Sequence, residues 1–251
     1  MAGALKFRAA RVAVVMAFFA LWEALSRTGA VNPRLLPSAS DTLATLADLL
    51  QRASVLDSLA VTGSEVALAF ALAVPIGAAV GILIAENRYV SDVLRPLMFF
   101  AFSIPKSIFL PMFILIFGVG FSQKVGFGFF STIFIVVMST TAAVESVKVD
   151  HLTVARSYGA TPAQIAFRVY LPSMLPVLLE ALRIAMIFNL TGVVLAEMYA
   201  SREGIGHMIA NWGENFQMKQ LLAGVVLISV IAISFNELVR WIETRCSHWR
   251  T

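Results

Sequence analysis

The side chains able to do chemistry in this chain are few and far apart. Three histidines, His151, His207 and His248, and one cysteine, Cys246, make no metal-ligand spacing. A lone cysteine excludes an intrachain disulfide and a zinc-type cysteine cluster. No Ser/His/Asp, Cys/His or paired-carboxylate arrangement is legible, so neither a catalytic site nor a metal site is expected. The stretch from Gly204 to Ile209 (GIGHMI) is glycine-rich, yet it lacks the strand and the ligand partners that nucleotide or metal binding requires. There is also no GxxxxGK[ST] loop of the kind that cradles ATP phosphates at a helix N-terminus. What remains are polar groups inside oily runs: Ser103, Lys106, Asn189, Thr191 and Glu197. An ionisable side chain within a span costs about 2.5–3.5 kcal/mol on insertion scales, which makes it a candidate for function. These five are the candidates for lining a small-molecule path. Hydrogen bonds between helices, or a lysine reaching an interface, compete as explanations.

A second polar concentration lies between His151 and Pro176, where Arg156, Ser157, Gln164 and Arg168 arrive close together. Residues at about 150–158 predict a short helix, with Asp150 as its cap and Gly159 as its stop. Thr161-Pro162 predicts the start of another helix, with proline at a first-turn position where its missing N–H costs nothing. Leu171-Pro172 is expected to end that second helix. Two short helices pinned by a glycine make a rigid handle, suited to docking.

The elements that must position these residues are set by composition. Hydrophobic residues make up 59% and charged residues 14%, and mean hydropathy is +0.84. Soluble domains average roughly 45–50% apolar and 25% charged, so the natural solvent is a bilayer. Apolar runs at about residues 9–27, 59–86, 93–117, 125–147, 174–200 and 221–243 predict six transmembrane helices. The first follows Lys6, Arg8 and Arg11 as in a signal peptide, but Trp22 and Glu23 and the absence of a small-x-small site favour an uncleaved span. Pro96, Pro105 and Pro111 interrupt the third run, and Gly77 and Gly81 form a GxxxG pair in the second. Between the first two runs, Leu43, Leu46, Leu49, Leu50 and Leu56 recur at helical spacing, with Ser40 or Asp41 to cap an amphipathic helix. Basic residues outnumber by roughly two to one on the side that holds both termini if six spans are drawn. The 151–176 segment then faces the cytoplasm.

At these residues the chain resembles a known family. VARSYGATPAQIAFRVYLPSMLP, with Gly159 and the downstream Leu171-Pro172, resembles the cytoplasmic EAA loop of ABC importer permeases. LPSASDTLATL, IPKSIFLPMFILIFGVG, the LRIAMIF and VVLAEMYASREGIGHMI stretches after the loop, and a C-terminal HWR resemble the nitrate/sulfonate/taurine-type branch, in the same order over roughly residues 36–250. The resemblance implies an all-α membrane protein of type I ABC importer permease architecture, with about six transmembrane helices. Residues 1–251 would be a single permease domain whose cytoplasmic coupling loop, at about 148–173, docks on a separate ATPase. Thr153, Ala155, Arg156, Gly159, Ala160, Leu171 and Pro172 would carry that coupling. The implied partners are the ATP-binding cassette subunit, a second permease subunit (a homodimer), a periplasmic solute-binding protein and the lipid bilayer, with no nucleic acid. No cofactor belongs on this chain, ATP and Mg being held by the ATPase. The implied location is the bacterial inner membrane, multi-pass, with both termini cytoplasmic. The implied solute is small: a sulfonate, nitrate, an aromatic carboxylate or a vitamin precursor.

Two departures from the family pattern stand out. Thr153 stands where Glu is usual, with Val154 in place of the first Ala, and Glu65 stands where relatives usually carry a basic residue. The Glu65 reversal alters a pairing inside the bundle. An ion-gradient-driven secondary transporter or channel is the rival reading, and it calls for mid-span carboxylates and an inverted repeat. A membrane-embedded enzyme would call for a cluster of ionisable groups at one depth.

Overall fold

A computed structural model describes residues 2–32, 34–147 and 149–246, and all regular structure among them is helical. Lys148, His248 and the C-terminal HWR lie outside the described residues. The chain runs α1 (Ala2–Arg27), α2 (Ala39–Leu49), α3 (Ala53–Glu86), α4 (Arg88–Ser103), a 3₁₀ turn (Lys106–Phe109), α5 (Leu110–Phe117), α6 (Phe121–Glu145), α7 (Val149–Ser157), α8 (Pro162–Ile165), a π turn (Ala166–Tyr170), α9 (Leu171–Tyr199), α10 (Ile205–Glu214) and α11 (Met218–Cys246). Among the described residues four helices are long and apolar enough to cross a membrane: α3, α6, the continuous 163–199 helix and α11. The pair α4 and 106–117 is long and apolar enough only when taken together, and it is bent by 80°, as a broken span or a re-entrant loop is. α1 follows the first apolar run and leaves Val12, Val14, Val15, Met16 and Phe18 exposed, as a lipid-facing helix would.

The bundle is centred on α6, which packs against α3 on one side and α9 on the other. Small residues allow the approach. A methyl group on Gly77 would meet Val136, and one on Gly81 would meet Thr140 and the Val137 carbonyl, all on α6. The GxxxG pair therefore seats α3 on α6, and Thr141 Oγ1 donates to the Gly81 carbonyl at 3.1 Å. Gly128 answers from the other helix, set against Val193, Asn189 and Ala69.

At one end, α2 and α10 form a cap over the spans. Leu49, Val55, Ile205, Ile209, Trp212, Ala223 and Leu227 make a buried cluster there. α2 is the expected amphipathic helix, but its cap is Ser38. Ser38 Oγ accepts from the Asp41 N–H at 3.1 Å, so the helix starts before Ser40 and Asp41. Asp41 is left free to pair with Lys219 of α11 at 2.8 Å. Of the prolines in the third run, Pro105 alone breaks it. Pro96 stays inside α4 and Pro111 sits in the first turn of α5, where a proline N–H is not needed.

Candidate functional site

The handle at the opposite end of the bundle is built from three local rules. α7 closes in a Schellman motif: the Gly159 N–H donates to the Arg156 carbonyl at 2.9 Å and the Ala160 N–H to the Ala155 carbonyl at 3.1 Å. That closure needs a left-handed residue, and Gly159 has φ +73°. The next helix opens with a reciprocal capping box. Thr161 N–H donates to Gln164 Oε1 at 2.9 Å, and Gln164 N–H donates to Thr161 Oγ1 at 3.3 Å. Asp150 lies inside the first turn of α7, which begins at Val149; it faces the helix dipole from within and does not precede it as a cap.

The expected end of the second helix at Leu171-Pro172 does not occur. The chain passes through the π turn at Ala166–Tyr170 straight into α9, and 163–199 is one helix. Pro172 has no N–H for the Arg168 carbonyl, and a wider turn before it absorbs the missing bond. The second helix of the handle is thus the end of a span. Leu152, Ile165 and Met174 are buried with Ala143 and Val147 at the end of α6, and Ala155, Ala160, Val169 and Tyr170 pack around them. Handle, α6 and α9 form one packed unit.

On that unit Thr153, Arg156, Gly159 and Leu171 are exposed, while Ala155, Ala160 and Pro172 are half-buried. Two exposed apolar residues were not singled out by sequence reasoning, Tyr158 at 88% exposure and Phe167; Val154, noted as a departure from the family pattern, is exposed beside them. Aromatic type beside a helix stop was the available signal for Tyr158. The helical phase that exposes Phe167 depends on the π turn, which the sequence does not announce.

The path candidates separate by placement. Asn189 is buried and its Nδ2 donates to the Val66 carbonyl at 2.8 Å, a bond from α9 to α3. Ser103 is exposed at the end of α4, its hydroxyl donating to the Phe99 carbonyl at 2.8 Å, and Thr191 is exposed on α9. Lys106 lies just past the break, half-buried, with its Nζ 4.4 Å from the Phe102 ring centroid and near Phe134 and Phe188.

Glu197 belongs to a buried cluster at the capped end of the bundle. Glu65 of α3 and Lys124 of α6 form an ion pair with both side chains almost wholly buried, and the Glu65 carboxyl lies near that of Glu197. Lys124 is the partner of the reversed Glu65. Glu197 Oε1 accepts from Thr62 Oγ1 at 2.6 Å and its Oε2 from the Gly206 N–H at 2.7 Å. The Ile205 N–H donates to Thr62 Oγ1 at 2.9 Å. The Gly204-Ile205-Gly206 stretch is therefore an anion cradle at the start of α10, filled by the chain's own carboxylate. Side chains at either glycine would collide with Glu197. Gly204→Ala, at φ +100°, is expected to lower stability by about 1 kcal/mol or more, read as a fall in the unfolding midpoint of purified protein.

Comparisons with known proteins agree with this architecture. The family model described as binding-protein-dependent transport system inner membrane component matches residues 73–248. The taurine transport system permease protein TauC of Escherichia coli K12 is 29% identical over 91% of this chain and 85% of its own length. The putative aliphatic sulfonates transport permease protein SsuC of Bacillus subtilis 168 is 26% identical over 92% of this chain and 84% of its own. The solved MetNI methionine ABC transporter, in an inward-facing conformation, has a chain that superposes with a TM-score of 0.64 at 21% identity, covering 79% of this chain and 96% of that one.

Proposed function

Because the chain belongs to the binding-protein-dependent transport system inner membrane components, we propose that two copies of it form the translocation path of an ABC importer, coupled to the ATPase through residues 149–172. The chain is a multi-pass inner membrane permease and not an enzyme. Both termini and the handle lie on the cytoplasmic side, in keeping with the bias of basic residues. The cap of α2 and α10 then faces the periplasm, where the solute-binding protein delivers its cargo. ATP and Mg stay on the ATPase. Residues 1–251 act as one permease domain.

The observation that carries the coupling assignment is the single packed unit of α7, the end of α6 and the start of α9. Force applied to α7 reaches two spans with no flexible joint between. Thr153, Ala155, Arg156, Gly159, Ala160, Leu171 and Pro172 shape the handle, and Tyr158 and Phe167 are its apolar anchors in a groove of the ATPase. Ser103, Lys106 and Thr191 face the path. Asn189 and Glu197 act on it from behind, by holding α9 to α3 and α10. The solute is a small molecule of the kind carried by the taurine and sulfonate relatives.

Co-expression with the ATPase tests this reading. Purified chain alone is expected to hydrolyse no ATP, and the ATPase is expected to co-purify with it. Tyr158→Ala should weaken the association read by co-purification by about thirtyfold, since a buried aromatic anchor contributes about 2 kcal/mol. Arg202→Glu, at the opposite end, should leave it unchanged. Hydrolysis by the isolated chain, or retention of ATPase indifferent to Tyr158, would refute the assignment.

A further inference from the structure

α4 is held to the bundle largely by polar groups. It buries a single side chain, and that side chain is a serine: Ser91 is 2% exposed, while Tyr89, Val93, Leu97, Phe99 and Phe100 lie open. Met98 and Phe99 share with Val137 and Met138 of α6 the lining of a cavity of about 160 Å³, so apolar packing between the two helices is incomplete there. The chain enters α4 from α3 through one extended residue, Asn87. Its Oδ1 accepts from the Tyr89 and Val90 N–H groups at 3.0 and 3.3 Å, bonds that cap α4 and do not fix its direction against α3. After Ser103 the segment bends by 80°.

One carboxylate fixes that direction. Glu145 is the last residue of α6, and both of its oxygens are taken by α4. Ser91 Oγ donates to Oε1 at 2.8 Å, and the Arg95 guanidinium pairs with Oε2. Ser91 and Arg95 stand one helical turn apart, so two donors on one face of α4 close on one acceptor group. At the far end of α4, Phe102 meets Phe188 of α9 edge-on with ring centroids 5.5 Å apart, a contact that tolerates sliding. The bonds to Glu145 are directional and do not. Glu145 also belongs to the handle by position. Ala143 and Val147, on either side of it in sequence, are buried with Leu152 of α7 and Met174 of α9.

We propose that Glu145 is a positioning residue for ATP-driven transport. Through Ser91 and Arg95 it clamps α4 to the unit formed by the handle, α6 and α9, so that α4 swings about Asn87 when the ATPase moves the handle. This rests on the permease reading above, and it holds whichever surface, lipid or a second copy, covers the open face of α4. The side chains of Arg95 and Glu145 are 48% and 38% exposed, and ion pairs so exposed contribute little to folding. Their effect is on geometry. Without them α4 keeps its backbone link at Asn87, its half-buried apolar contacts and a sliding ring contact, none of which sets its angle. Handle motion then dissipates at the hinge.

The test uses the permease–ATPase complex in nanodiscs, with Cys246 replaced by Ser. A spin label is placed at Leu97→Cys, on the open face of α4, or at Ile184→Cys, on α9. The distance between the labels of the two copies is measured before and after trapping with ATP, Mg and vanadate. With the clamp intact, both distances are expected to change on trapping. Glu145→Ala should leave the change at 184 in place and reduce the change at 97 by about half or more. Arg95→Gln, which keeps the Ser91 bond, should fall between. The exchanged pair Arg95→Glu/Glu145→Arg, which re-forms the ion pair with its sign reversed, should restore the change at 97. The inference is overturned if Glu145→Ala moves at 97 as the intact clamp does, even from a shifted resting distance, or if the exchanged pair recovers nothing. It is also overturned if Glu145→Ala no longer holds the ATPase, because the clamp would then be part of the docking surface. No change at either position with the clamp intact, or an ATPase that does not co-purify, would instead remove the permease reading itself.

Discussion

Lys124→Met is expected to be the most destabilising single substitution in the chain. It leaves the buried Glu65 with no cation, near a second buried carboxyl, Glu197. Removing one partner of a buried ion pair costs about 3–5 kcal/mol, a large part of the stability of an ordinary domain. The double variant Glu65→Leu/Lys124→Met should recover most of that loss, because Glu197 keeps its own donors, Thr62 Oγ1 and the Gly206 N–H. Unfolding midpoints of the purified proteins in nanodiscs decide it. A single variant as stable as wild type would mean that Lys124 does not neutralise the cluster.

Gly159→Val is expected to have the largest effect on transport. A methyl group at Gly159 would meet nothing within 4 Å, so steric crowding plays no part. The cost is conformational: φ +73° is disfavoured by about 1–2 kcal/mol for an L residue, and more for a β-branched one. The chain can relieve this strain by abandoning the Schellman closure, which swings Tyr158 and Arg156 away from the start of the next helix. Uptake should fall below a tenth of wild type, and membrane insertion should be unchanged. Gly159→Asn, which tolerates the left-handed region, should retain most uptake. Equal uptake by Gly159→Val and wild type would remove the handle from the coupling mechanism.

Much of this architecture was legible because it follows from local rules. Apolar runs gave the spans, and Gly159 and Thr161-Pro162 gave the two helix ends of the handle. Leu171-Pro172 misled, because a proline can be absorbed by a π turn when the flanking helix is held by tertiary packing. Ser38 was passed over as a cap for the same kind of reason: Ser40 and Asp41 satisfy the local rule equally well, and the choice is made by the docking of α2 on α11. The ion cluster was half visible. Glu65 stood out as a reversal, but Lys124 lies on another helix and reads as an outer charge until the bundle is assembled. The glycines at 204 and 206 likewise make no sense until Glu197 is set beside them.

The 149–172 handle, and not the opposite end, is expected to meet the ATPase. With Cys246 replaced by Ser, Tyr158→Cys and Arg202→Cys can each carry a short photo-crosslinker in membranes that contain the co-expressed ATPase. A permease–ATPase adduct is expected from position 158, altered in yield by ATP, and none from position 202. An adduct from 202, or none from 158 while the ATPase still co-purifies, would contradict it.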